Sequence, residues 1–161
     1  NLMKIQGVTQ RKNTRRTQPD HDFLKYWRVI RFWAQKKYDL SYPDLEMMFF
    51  LYSEQIFNKS QFKEYEELMS WDRVRFSRLL KNKWIQVWRK REGNQTTLYE
   101  LSYKGKRAIN NIYKKLNGEE ISELEFSNPL FHSDPSYVEK INRNMIKKIN
   151  IETKNATNIV G

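Results

Sequence analysis

Residues 60–105, SQFKEYEELMSWDRVRFSRLLKNKWIQVWRKREGNQTTLYELSYKG, hold in uninterrupted order a short polar helix, a tight Met69-Ser70 turn, an Arg-rich helix and a basic β-hairpin. Ser60 is placed to cap the first helix, which runs to about Met69 with Phe62, Tyr65, Leu68 and Met69 facing inward. Glu64, Glu66 and Glu67 point outward or toward its positive end. Ser70 is the expected cap of the next helix. At about 100° per residue, Phe76, Leu79, Leu80 and Trp84 fall on one arc of that helix. Arg75, Ser77, Arg78, Lys81 and Asn82 fall on the opposite arc, with Arg73 at its boundary. That arc offers forked and amide donors, the groups that pair with guanine and adenine edges in a major groove. Residues 85–91 then alternate with β-branched and aromatic side chains, Glu92-Gly93-Asn94-Gln95 is a turn, and residues 96–101 return as a strand. Arg89, Lys90 and Arg91, with Asn94 in the turn, crowd the hairpin tip, within reach of phosphates or an adjacent minor groove. Trp84 is expected in the core and Trp88 over the sheet edge.

Upstream, residues 23–37 space Phe23, Tyr26, Trp27, Ile30, Trp33 and Ala34 along one helical face. Ser41 caps a following helix with Pro43 in its first turn, and Leu45, Met48, Phe49, Tyr52 and Ile56 form its stripe. Met47, Phe50 and Leu51 make this helix apolar nearly all round, which predicts the most buried element. Downstream, residues 103–116 carry Ala108, Ile109, Ile112, Tyr113 and Leu116 on one face and stop at Asn117-Gly118. Residues 119–125 are acidic and 128–135 form an irregular connector. Residues 136–150 return to helical spacing through Tyr137, Ile141, Met145 and Ile149, and the Asn- and Thr-rich residues 151–161 are expected to be disordered. Residues 1–19 contain Lys4, Arg11, Lys12, Arg15 and Arg16 and no acid. Too polar to offset ordering entropy, they read as a flexible basic arm, either a solvated tail with no role or an arm that tracks phosphates or enters a minor groove.

The chain's 161 residues suit one domain with tails. A net charge of +11 favours a polyanionic partner. No apolar run approaches the roughly 18 residues of a membrane-spanning helix, and no signal peptide is visible, so a cytoplasmic protein without membrane attachment is expected. The absence of Cys excludes disulfides and Cys-ligated metal, and His21 and His132 lack ligand-type spacing. No cofactor is expected. No Gly-rich phosphate loop or nucleophile motif points to an enzyme, and Asp20-His21-Asp22 reads as polar capping at a helix start.

The order helix, turn, basic helix and hairpin predicts a mainly α fold with a small β-hairpin wing, that is, a winged helix-turn-helix with flanking helices. Phe76-Ser77-Arg78-Leu79-Leu80, the exit through Trp84-Ile85-Gln86-Val87, and Leu101-Ser102-Tyr103-Lys104-Gly105 make residues 23–116 resemble the MarR-like branch of winged-helix DNA-binding proteins. Where many members place an Asp and Arg pair in the wing turn, this chain has Gly93-Asn94-Gln95. The resemblance implies a dimer formed through the flanking helices and a role in transcription regulation. The Asn-, Lys- and Ile-rich composition is similar to that of small phage-encoded proteins. The expected organisation is a basic arm at 1–19, a DNA-binding domain at 20–118, a connector and helix at 119–150, and a tail at 151–161. The expected partner is double-stranded DNA, bound by a homodimer through Arg73, Arg75, Ser77, Arg78, Lys81, Asn82, the wing and the arm. The alternative is a phage structural or assembly protein whose winged helix makes protein or nonspecific nucleic-acid contacts, with another protein docked on the C-terminal helix.

Overall fold

The computed structural model describes residues 22–69 and 73–160, without the side chains of 157–160. It is mainly helical, with α-helices α1 (Phe23–Tyr38), α2 (Tyr42–Glu54), α3 (Lys59–Met69), α4 (Arg73–Lys81), α5 (Tyr103–Leu116) and α6 (Tyr137–Val160). Strands β1 (Ile85–Arg89) and β2 (Leu98–Leu101) form a two-stranded antiparallel sheet, and a 3-10 turn spans Pro129–Phe131. Among the described residues no helix is long and apolar enough to cross a membrane.

The local signals at α1 and α2 work as their chemistry requires. Asp22 caps α1 by accepting from Lys25 N, and Asp39 in the left-handed region ends it. At α2, Ser41 Oγ accepts from Asp44 N while Asp44 Oδ2 accepts from Ser41 N, both at 3.2 Å, a reciprocal capping box with Pro43 in the first turn. Leu45, Met47, Met48 and Leu51 of α2 are fully buried, so the all-round apolar helix is the centre of the core. Its stripe is shorter than expected, because α2 ends at Glu54 and both Tyr52 and Ile56 are exposed. On α1, Ile30, Trp33 and Ala34 are buried and Tyr26 packs against the core, as the spacing predicts, while Val29 joins the buried face and Phe23 at its start is exposed.

Phe57 follows α2 and exchanges backbone hydrogen bonds with Tyr99 of β2 (3.0 and 2.7 Å), so the hairpin is held to the helical core by a one-residue bridge that periodicity does not announce. Its ring packs with Phe62, Tyr65, Phe76 and Tyr99 in an aromatic cluster joining α3, α4 and β2. Asn58, not Ser60, caps α3. Its Oδ1 accepts from Gln61 N at 2.8 Å and Gln61 Oε1 accepts from Asn58 N at 2.9 Å, a box Ser60 cannot make from inside the first turn. Leu68 is exposed instead of inward. The Ser70 cap and the rest of the turn at 70–72 lie outside the described residues.

β1 and β2 pair from Ile85 opposite Leu101 outward, with an irregularity between Val87 and Arg89, and Glu92 bridges Gln95 across a turn in which Gly93 takes φ +59°. Ser102 caps α5 through Gly105 N. A Cβ at Gly105 would lie 2.7 Å from the carbonyl oxygen of Trp84, which explains the glycine of the Leu-Ser-Tyr-Lys-Gly run: the strand-to-helix corner is pressed against the entry to β1.

The C-terminal segment differs most from expectation. Residues 151–160 continue α6 as helix. Once docked, a helix elongates at one hydrogen bond per residue added, which outweighs the poor propensity of Asn and Thr. The docking is specific: Ile146 and Ile149 are buried, and the buried Asn150 side chain accepts from Ile121 N (2.9 Å) and donates to Ile121 O (2.7 Å). Arg143 donates to the carbonyls of Leu130 and His132, and Glu152 pairs with Lys25 at 3.0 Å. Of the apolar positions assigned to a dimer, Ile149 is buried and Met145 partly buried within the chain, while Tyr137 and Ile141 remain exposed.

Candidate nucleic-acid interface

The face that α4 turns to solvent is set by the burial of Phe76 and Leu79, with Leu80 packed at the margin of the core. Arg73, Ser77, Lys81 and Asn82 are exposed, as the helical spacing predicts. Arg75 is not. Its side chain is 20% accessible, and its Nη1 donates to Asp44 Oδ1 at 2.6 Å and to Ser41 Oγ at 3.2 Å. Arg78, 46% accessible, donates from Nη2 to the same Asp44 oxygen at 2.6 Å. Arg73 approaches Glu66 of α3 at 3.7 Å.

Asp44, which the sequence pattern does not single out, organises the site. Its side chain is 7% accessible. Burial alone would push its carboxyl up, but hydrogen bonds from Ser41, Arg75 and Arg78 outweigh burial and hold it below the ordinary carboxylate range. The result is a latch: the start of α2 grips α4 through two guanidinium groups and fixes the roll of α4 about its axis. The correction to the expected donor arc has a plain cause. A buried carboxylate at the edge of the apolar face draws Arg75 inward, because an unpaired buried charge is costly and a doubly bonded one is not.

The centre of the outward face then belongs to Val74, 69% exposed, flanked by Ser77, Arg78 and Lys81. Sequence reasoning missed it because a β-branched apolar residue among arginines looks like a core position. Its angle on the helix, opposite Leu79, was the available signal.

Beyond α4, Lys83 at φ +64° turns the chain, and Trp84 is buried as expected. On the hairpin, Lys90, Arg91 and Asn94 are exposed; Arg89 is half-buried with its guanidinium 5.9 Å from the centre of the exposed Trp88 ring. The structure therefore brings Arg73, Ser77, Arg78, Lys81 and Asn82 onto the exposed side of α4 and its C-terminal end, and puts Arg89, Lys90 and Arg91 on the hairpin that follows. Arg11, Lys12, Arg15 and Arg16 lie outside the described residues. No family model matches the chain, and neither a curated protein nor a solved structure matches it.

Proposed function

We propose that residues 20–118 are a winged-helix unit that binds double-stranded DNA, with α4 entering the major groove and the hairpin holding the backbone as a wing, in a cytoplasmic regulator of transcription. The observation that carries this reading is the outward face of α4: a latched helix, followed at once by a basic hairpin, that presents Arg73, Ser77, Lys81 and Asn82 around Val74. Hydroxyl, amide and cationic donors beside an apolar group are the set that reads base edges and thymine methyl groups. Arg75 serves this site by positioning α4, and Arg78 divides its fork between Asp44 and the surface.

A second reading, an assembly protein with a winged helix used for protein contacts, draws support from the exposed Tyr137, Val138 and Ile141 at the start of α6. Selection from a random duplex pool followed by competition separates the two. A regulator prefers its selected site over random duplex by about 10³-fold or more. Equal affinity for both would sink the regulator reading, and tighter binding to unpaired strands would sink the major-groove placement of α4.

A further inference from the structure

One face of α5 carries Lys104, Arg107 and Lys114 at helical spacing, and with Lys37 at the end of α1 they line a groove of about 640 Å³. No carboxylate lines it, and among the described residues none of these cations is in an ion pair. On the opposite side of α5 Lys106 pairs with Glu100 at 3.3 Å, and at the C-terminal end of the groove face Lys115, next to Lys114, pairs with Glu119 at 2.7 Å, which leaves Lys104 and Arg107 as the α5 cations with no carboxylate beside them. The groove cations are also positioned. Lys104 Nζ lies 3.8 Å from the centre of the buried Trp84 ring and donates to Asn82 O at 3.4 Å, and Arg107 lies 5.6 Å from the centre of the Tyr103 ring. Lys37 donates to Ser127 O at 2.9 Å.

We propose that this groove is a phosphate-binding track that takes a chain of phosphodiester or phosphoanhydride groups, and that it continues the α4 face. The continuation rests on the reading of α4 given above; the phosphate chemistry rests on the groove alone. Asn82 closes the C-terminal end of α4, so its bond to Lys104 joins the two surfaces. From Lys104 to Lys114 the helix rises about 15 Å. That length accommodates about four phosphates of one strand at 3.4 Å of duplex axis each. Rings stacked under cations leave the donors facing outward and the site tolerant of sequence, as suits a backbone contact.

The test is Arg107→Gln with Lys114→Gln in the full chain, beside Lys81→Gln on α4. Affinity for duplex DNA is measured against salt, and affinity for inorganic polyphosphate at one salt concentration. The double variant should lower the log–log salt slope by about 1.8 without changing preference among duplex sequences, so that on the order of tenfold less affinity is lost between 50 and 200 mM salt. Its polyphosphate binding should fall as well. An unchanged slope with unchanged polyphosphate binding overturns the proposal, even where Lys81→Gln weakens duplex binding and the α4 reading stands. Should the wild-type chain bind no duplex, the α4 reading fails, and loss or retention of polyphosphate binding in the double variant still decides the groove. Lys114→Gln alone, with an expected slope change of about 0.9, replaces the double variant if that variant unfolds.

Discussion

α4 and α5 are both rich in cations, and they spend them in opposite ways. On α4 the arginines meet acids: Arg75 and Arg78 share Asp44 at 2.6 Å, and Arg73 leans toward Glu66. On α5 the groove face of Lys104, Arg107 and Lys114 forms no ion pair among the described residues, and only Lys114 feels an acid, Glu119, from beyond ion-pair distance. The helix that looks most like a reader is therefore partly neutralised and geometrically fixed, while the helix that looks merely amphipathic keeps Lys104 and Arg107 of its groove face without a carboxylate partner. Electrostatic attraction of a polyanion depends on uncompensated charge, so the field is weighted toward α5 and orientation toward α4.

The largest effect in breaking this contrast is expected at the latch. Asp44→Ala leaves two guanidinium groups without their shared acceptor and should destabilise the fold by about 2–3 kcal/mol, less than the usual cost at a fully buried pair because Arg78 is half exposed. Urea unfolding measures it, and a loss below about 0.5 kcal/mol would rank the latch with ordinary surface ion pairs. The same carboxylate fixes a pH signature. Because its folded-state pKa is lowered, its contribution is complete above the unfolded value of about 3.9 and disappears as pH falls through the folded value. The stability gap between wild type and Asp44→Asn should stay constant from neutral pH down to that range and close below it. A gap that widens in acid would mean that Asp44 does not titrate with the latch.

Next in size is a division of labour within α4. Arg75→Ala should cost about 1.5–2 kcal/mol of stability, the low end for loss of a charged hydrogen bond because Arg78 still pairs Asp44, and should affect DNA binding equally at all sequences. Lys81→Ala should leave stability within about 0.5 kcal/mol and weaken binding. Thermal unfolding and duplex titration on both variants test the split, which collapses if Arg75→Ala selectively relaxes base preference while leaving stability untouched.

What was legible in the sequence follows the range of the interaction. The Ser41 cap with Pro43, the buried α2 and the hairpin turn are local or periodic, and each forms where its residues indicate. Choosing Ser60 over Asn58 was a local error, correctable by the Gln three residues after Asn58. The latch joins residues 31 and 34 positions apart, and a helical wheel of α4 contains no trace of Asp44. The same limit hid Asn150, whose bonds to Ile121 lie 29 positions away and keep α6 on its own domain. The α5 face was visible on a wheel, but its meaning was not, because uncompensated charge is a statement about acids elsewhere in the fold.

The smallest effect sharpens the comparison at its finest point, the one apolar group at the centre of α4's outward face. An exposed valine costs the free protein some apolar hydration, and on a base-reading helix it recovers that cost against a thymine methyl, the apolar feature of a major groove. Removing two methyl groups should cost about 0.5–1 kcal/mol of discrimination, below the 1–3 kcal/mol of a bidentate donor, because the contact is partial and solvent remains nearby. The sign of the idea lies in a double substitution. Replacing thymine by uracil, position by position, in the selected site should weaken wild-type binding at one position, and the same replacement should leave Val74→Ala unaffected there. If wild type and Val74→Ala lose equally at every thymine, Val74 touches no methyl group and α4 reads its groove by polar donors alone. The bare cations of α5 act on the backbone and should respond to neither change, so a thymine effect confined to α4 would separate recognition from attraction on the two helices.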